Sequence, residues 1–238
     1  MKNDKKRKIK VVRKQQQQIP FAEIQEEIKK VLETDPDMDE YVMFLAVMKV
    51  MLEYTSKDDW GEMSLSFIQN HYFDFEKVKT IKHRLDFRQP YKLYCELMRV
   101  YYLLADSKGK KIFHKMLNWF PADNKKNIIQ TWPNTFILSC FRPIITQGNI
   151  YFEDIRTKKK YDIADRDNII LSIIKETHLP FLSLIVPSNE KFLTDMFLLC
   201  ENFTLINPNS IGHLKKSRWE EYLLDWYRNN LLKSCLST

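Results

Sequence analysis

The residues of this chain with the clearest chemical potential lie between positions 153 and 158. Glu153 and Asp154 are neighbouring carboxylates, and Lys158 follows them closely. A metal-dependent nuclease holds a divalent ion with carboxylates and often places a lysine near the attacked phosphate. Neighbouring residues of a strand point to opposite sides of a sheet, so these two carboxylates share one ion only across a bulge. A nuclease or phosphotransfer enzyme is therefore the alternative hypothesis, and the sequence favours a chain without catalysis.

A strongly basic arm occupies residues 1–18 and is expected to be disordered. Its first fourteen residues hold eight basic side chains and one acidic one, which equals the net charge of +7 of the whole chain. The remainder therefore has equal numbers of acidic and basic side chains. Short basic runs are typical of nuclear localisation signals and also contact phosphates without sequence preference. The residues assigned to import or phosphate contact are Lys5, Lys6, Arg7, Lys8, Lys10, Arg13 and Lys14.

A second basic cluster surrounds a predicted hairpin turn in the other half of the chain. Aromatic residues adjoin it, and cations interleaved with aromatics bind single strands by charge and stacking. A neutral body must also expose its cations somewhere, which is the alternative explanation. The cluster consists of Arg156, Lys158, Lys159 and Lys160.

A third group is aromatic and falls on one predicted helix near the C-terminus. Aromatic side chains dominate the energetics of protein interfaces, and they also fill cores. We expect this group to bind a partner protein. Its members are Trp219, Tyr222, Trp226 and Tyr227.

Several other site classes have no sequence support. The 4 glycines are isolated, so no phosphate-binding loop or dinucleotide fingerprint is present, and a nucleotide would have to be held by side chains. The 4 cysteines and 5 histidines lack the spacing of metal motifs. We therefore expect no metal, no cofactor and reduced thiols. No apolar stretch is long enough to span a membrane, so no membrane partner is expected.

Helical spacing of apolar residues dominates the first half of the chain. The patterns predict helices over about 21–31, 41–54, 56–68, 75–85, 90–105 and 112–120. Asp35 and Pro36 mark the expected start of the second helix. This half, residues 19–140, is therefore predicted to be a helical bundle.

The second half, residues 141–238, is predicted to be a small α/β element. Strands are expected at 150–155 and 160–163, joined as a hairpin, and at 181–186 and 203–206. Helices are expected from Asp165 or Asp167 through Ile174, from Ser188 to Cys200, and after a capping box formed by Ser217 and Glu220. The fold class is α+β, mainly α: an N-terminal helical bundle followed by a small α/β element with a hairpin.

These features together favour a non-enzymatic adaptor or subunit of a nuclear complex that handles DNA or RNA. The body would bind other protein subunits, and the arm would direct import or touch phosphate. An interaction protein unconnected with nucleic acid is a further possibility. The nucleus is the expected compartment, and the cytoplasm or the mitochondrion is the alternative.

Overall fold

The computed structural model describes residues 21–35, 37–55, 85–165, 170–172, 174, 179–200 and 215–236. Its α-helices are α1 (Phe21–Thr34), α2 (Glu40–Thr55), α3 (Leu85–Ala105), α4 (Ser107–Met116), α5 (Asn124–Thr135) and α6 (Lys216–Leu236). Its strands are β1 (Ile137–Thr146), β2 (Asn149–Asp154), β3 (Lys160–Ile163), β4 (Phe181–Pro187), β5 (Phe192–Leu193) and β6 (Leu198–Leu199). A short 3-10 helix, Leu117–Trp119, follows α4.

Three helices of the first half, α2, α4 and α5, begin at aspartate caps. Asp39 accepts hydrogen bonds from the N–H groups of Tyr41 at 2.9 Å and Val42 at 2.8 Å, so α2 starts there and not at Asp35. Asp106 and Asp123 cap α4 and α5 in the same way. The helical patterns that became α1 to α4 are confirmed, and α5 was not predicted. The patterns at 56–68 and 75–85 lie almost entirely outside the described residues.

The expectation of a small α/β element with a hairpin is wrong. The strands instead form a closed five-stranded barrel in the order β1-β2-β3-β5-β4, with β4 pairing back onto β1. All neighbours are antiparallel except β3 and β5, which run parallel and pair at Ile163 and Phe192. The predicted hairpin is present as β2 and β3, but it is one part of this closed wall.

The barrel closes through β1, which sequence analysis did not identify. Its first half, Ile137 to Phe141, pairs with β4, and its second half, Phe141 to Thr146, pairs with β2. One strand thus belongs to both sides of the barrel. The expected boundary between residues 140 and 141 falls inside this strand.

The helix expected from Ser188 to Cys200 is wrong, because this segment turns back along β4 as β5 and β6. Residues 192 and 193 pair with β4 in one register, and residues 198 and 199 pair with it one residue out of step. Residues 194–197 hold the extra residue of a β-bulge. Buried hydroxyls stabilise the bulge, since the oxygens of Ser183 and Thr194 lie 2.9 Å apart.

Two apolar clusters meet at the barrel wall. One fills the barrel and includes Phe141, Phe152 and Phe181 together with Ile170 and Ile174, which come from the connection between β3 and β4. The other joins the helices to the outer sides of β1 and β4. Because the two sides of β4 face different cores, six consecutive residues of this strand are buried.

The helices fasten to the barrel by polar contacts as well as by packing. The indole N–H of Trp132 on α5 donates to the carbonyl of Pro187 at 2.9 Å. Trp219 on α6 donates to the hydroxyl of Ser139 at 3.0 Å. The helices thus cover β4 and the first half of β1, and the outer side of β2, β3 and the second half of β1 faces solvent.

We predict that Gly109→Ala destabilises the helical layer. Gly109 is buried in α4, and a Cβ there would collide with the backbone carbonyl of Tyr102 on α3. The free energy of unfolding should fall by about 2 kcal/mol or more, measured by urea denaturation. Lys108→Ala, at the exposed neighbouring position, should change it by less than about 0.5 kcal/mol. Equal stability of the two variants would contradict the observed helix packing.

Candidate nucleic-acid interface

The outer side of β1, β2 and β3 presents polar and aromatic side chains in register. We call it the open face. One cross-strand row contains Arg142, Glu153 and Lys160. The next row contains Ile144, Tyr151 and Asp162. The alternating residues Ile150, Phe152, Tyr161 and Ile163 point into the barrel.

Tyr151 lies at the centre of the open face. It is half-buried, while Arg142 and Lys160 at its diagonal positions are exposed. Diagonal neighbours on a sheet lie within reach of long side chains. The ring is therefore flanked by two cations that extend into solvent.

Basic and acidic side chains are mixed on the open face, where Arg142 and Lys160 accompany Glu153 and Asp162. Lys191, in the connection from β4 to β5, pairs with Asp162 at 3.3 Å and extends the face toward β5. The Lys159 ammonium lies 5.1 Å from the centroid of the Tyr161 ring, on the side of β3 that faces the barrel.

The predicted basic cluster divides in two in the structure. Lys158, Lys159 and Lys160 are exposed. Arg156 is half-buried instead, with its guanidinium carbon 5.7 Å from the centroid of the Trp219 ring on α6. Arg156 therefore belongs to the contact between the β2–β3 connection and the C-terminal helix.

The carboxylates of Glu153 and Asp154 lie on opposite sides of β2, as their alternation requires. Asp154 is buried, and its Oδ1 accepts hydrogen bonds from the N–H groups of Arg156 at 2.7 Å and Thr157 at 3.1 Å. Asp154 thus closes the turn, and Lys158 takes a φ of 61° there. Among the described residues there is no group of three or more metal-ligating side chains.

The aromatic group on α6 packs against the chain itself. Trp219 and Tyr227 are buried, and Tyr227 stacks on Tyr94 of α3 at 5.5 Å between ring centroids. Tyr222 and Trp226 are half-buried against the same core. These rings hold α6 in place, so Trp219 and Tyr227 cannot also form a partner surface. The basic arm lies outside the described residues.

Glu220 of α6 is a buried polar residue whose role differs from the one predicted from the sequence. Glu220 does not act as a capping-box carboxylate, because its Oε2 accepts a hydrogen bond from the hydroxyl of Tyr101 at 3.1 Å. Its Oε1 lies 3.7 Å from the ammonium of Lys216. Burial raises the pKa of Glu220, and Lys216 and Tyr101 oppose the shift.

Arg142 and Ile144 of the open face were missed because β1 was missed. Ile144, Ile145 and Thr146 precede Gln147 and Gly148, which take φ values of 52° and 80°. A β-branched run before such a two-residue turn is the signal that would have identified the strand. Pro143 obscured it, since proline inside a run argues against a strand.

Comparison with known proteins gives no relative from which a role can be transferred. No family model, curated protein or solved structure matches the chain. Among the helices that the structure describes, none has the length and apolar composition needed to cross a membrane.

We predict that Asp154 and Glu153 respond differently to substitution. Asp154→Ala should lower the free energy of unfolding by about 1–3 kcal/mol, because two partly buried turn N–H groups lose their acceptor. Glu153→Ala, on the solvent side of the same strand, should change it by less than about 0.5 kcal/mol. Urea denaturation measures both, and a larger loss for Glu153→Ala would contradict this turn geometry.

We also predict a pH dependence that arises from Glu220. A raised pKa means that the folded state favours the protonated carboxyl of Glu220. The contribution of this protonation to stability is complete below the ordinary pKa of 4.5, and it is lost as the pH rises through the pKa of the folded state. Wild-type stability relative to Glu220→Gln should therefore fall with rising pH. Urea denaturation of both proteins at a series of pH values from below 4.5 upward measures the difference in the free energy of unfolding. Glu221→Gln is the exposed control. A difference that rises with pH would contradict the assignment.

Proposed function

We propose that this protein binds single-stranded nucleic acid on its open face, with the basic arm adding phosphate contacts. The observation that carries the proposal is a half-buried Tyr151 that lies diagonal to Arg142 and Lys160, on the side of the barrel that the helices leave uncovered. Aromatic rings that stack bases beside cations that follow the backbone are the usual means of holding a single strand.

The barrel topology supports the same assignment. A closed five-stranded barrel of this order, with one parallel pair between β3 and β5 and residues of the β3–β4 connection at its end, corresponds to the OB-fold. In that architecture, strands 2 and 3 and the adjacent loops bind oligonucleotides or oligosaccharides. Because a fold does not fix a function, the side chains of the open face must carry the argument.

The charge distribution favours a nucleic acid over a neutral saccharide. Arg142 and Lys160 lie on the open face, and the arm adds a net charge of +7. The acidic residues Glu153 and Asp162 within the face argue for modest affinity, since each repels a nearby phosphate. Binding of this kind depends strongly on salt and only weakly on sequence.

We keep the nucleus as the proposed compartment and a multi-subunit complex as the proposed setting. The run Lys5-Lys6-Arg7-Lys8 supports import. Trp219 and Tyr227 are buried, which leaves Tyr222 and Trp226 as the partly exposed members of the group first expected to bind protein subunits. The nucleic-acid contact is therefore the better supported part of the proposal.

We predict that Tyr151→Ala weakens binding of a labelled oligothymidylate or oligouridylate about five-fold to a hundred-fold, which corresponds to the removal of one stacked base. Fluorescence anisotropy at fixed low salt measures the dissociation constant. Tyr151→Phe keeps the ring and should bind like the wild type. Unchanged binding by Tyr151→Ala would refute the open face as the interface.

A charge test accompanies the aromatic one. The double variant Arg142→Ala/Lys160→Ala should weaken binding. The slope of the logarithm of the binding constant against the logarithm of salt concentration should become shallower by about 0.7 for each phosphate that is no longer neutralised. Lys111→Ala/Lys115→Ala, on exposed positions of α4, removes the same charge as a matched control. Deleting residues 1–18 should lower affinity further while leaving the ratio between wild type and Tyr151→Ala intact. Equal effects of the two double variants would show that binding depends on net charge alone and not on the open face.

A further inference from the structure

Glu153 places an anion in the middle of the open face, between two cations. In the register of the strands, it lies opposite Arg142 of β1 on one side and opposite Lys160 of β3 on the other. Across the part of the chain that the structure describes, no ion pair or hydrogen bond engages its carboxylate. Both oxygens of Glu153 are therefore free to accept hydrogen bonds from a ligand on this surface.

The second carboxylate of the open face is already engaged. Asp162 lies opposite Tyr151, and its Oδ1 lies 3.3 Å from the ammonium of Lys191. This ion pair reduces the charge that Asp162 presents to a ligand. The two carboxylates therefore differ in what they offer, although they share one face of the sheet.

Glu153 also lies beside the ring proposed to stack a base. It follows Tyr151 by two residues on β2, so both side chains leave the strand on the same side, about 7 Å apart along it. Ile144, directly opposite Tyr151, extends the apolar surface next to the ring. A base stacked on Tyr151 thus has one edge within reach of the Glu153 side chain.

A carboxylate on such a surface selects what lies against it by charge. It repels phosphate groups, and it accepts hydrogen bonds but donates none. In a bound strand, the backbone therefore avoids Glu153 and only the N–H groups of a base are attracted to it. The cations Arg142 and Lys160 are exposed on either side, where they can contact phosphate groups or base acceptors.

Guanine is the base whose edge matches this arrangement best. Its N1–H and N2–H donors lie side by side and fit the two oxygens of one carboxylate, and the adjacent O6 is an acceptor that Arg or Lys commonly contacts. Adenine and cytosine each present one amino donor beside a ring acceptor. Uracil and thymine present one N–H between two carbonyl oxygens, and a carboxylate repels both oxygens.

We propose that the open face selects a guanine in single-stranded nucleic acid and that Glu153 is the residue that determines this specificity. The inference rests on the proposed binding of a strand to this face. The base stacks on Tyr151, its N1–H and N2–H groups donate to Glu153, and a neighbouring cation contacts O6. The other contacts are to phosphates, which carry no sequence information, so the preference acts at one nucleotide of an otherwise unselective strand.

The test compares affinities for strands that differ at one base. Oligothymidylates of about 9 nucleotides, within the site size of such barrels, carry thymine, guanine, inosine, adenine or cytosine at the centre. Fluorescence anisotropy with the full-length chain should give about five-fold or tighter binding for the guanine strand than for the thymine strand. Inosine keeps N1–H and O6 but lacks the N2 amino group, so its strand should bind with intermediate affinity.

Glu153→Gln should abolish the guanine preference, because the amide has one acceptor oxygen instead of two and turns a donor toward the base. Asp162→Asn is the matched control, since it removes the same charge from the same face and should keep the preference. Each variant should bind the thymine strand at least as tightly as the wild type, because a group that repels phosphate is lost. The ratio of guanine to thymine affinity therefore separates base recognition from general charge.

Failure of this inference is distinguishable from failure of the proposed function. If Tyr151→Ala weakens binding of the thymine strand but the wild type binds guanine and thymine strands equally, the open face remains the interface and the role of Glu153 is overturned. Equal loss of the preference in Glu153→Gln and Asp162→Asn would also overturn it, because net charge would then explain the effect. No binding of any strand, or no effect of Tyr151→Ala on any strand, would overturn both proposals.

Discussion

The structure depends on the burial of the outer sides of β1 and β4 beneath the helices. Leu138, Cys140, Leu182 and Leu184 point out of the barrel, yet they join the helical core and are almost completely inaccessible. The same strands fill the barrel from their other side, so two apolar cores share one wall. Removing this much apolar surface from water is the dominant favourable term in folding. The barrel and the helices therefore form one continuous packed unit across the described residues.

This shared wall also decides which surface is left for binding. α5 is fixed to β4 by packing and by the hydrogen bond of Trp132 to Pro187, and α6 is fixed to the first half of β1 by packing and by the hydrogen bond of Trp219 to Ser139. The second half of β1 extends beyond the helices and pairs with β2, which leaves its outer side open to solvent. Tyr151 is half-exposed for this reason, whereas Phe152, one residue on, is sealed inside the barrel. The position of the helices thus selects the open face.

The polar groups follow the same division. Arg156 lies where α6 meets the barrel and is half-buried there, whereas Glu220 is buried between α6 and α3. The exposed cations Lys158, Lys159 and Lys160 lie beyond it. The exposed cations and the buried polar groups are consequently separated by the contact between α6 and the barrel.

The sequence by itself determined the helices α1 to α4, the strands β2, β3 and β4 and the confinement of the excess charge to the arm, since these follow from local periodicity and composition. It did not reveal β1, because Pro143 interrupts its pattern, nor β5 and β6, whose residues were predicted to form a helix. Those strands exist through pairing with β4, a partner that no local window contains. Tertiary structure alone decided that Trp219 is core, that Asp154 closes a turn and that Tyr151 faces solvent. The burial or exposure of each of these side chains depends on which segments pack over it, and those segments are distant in the sequence.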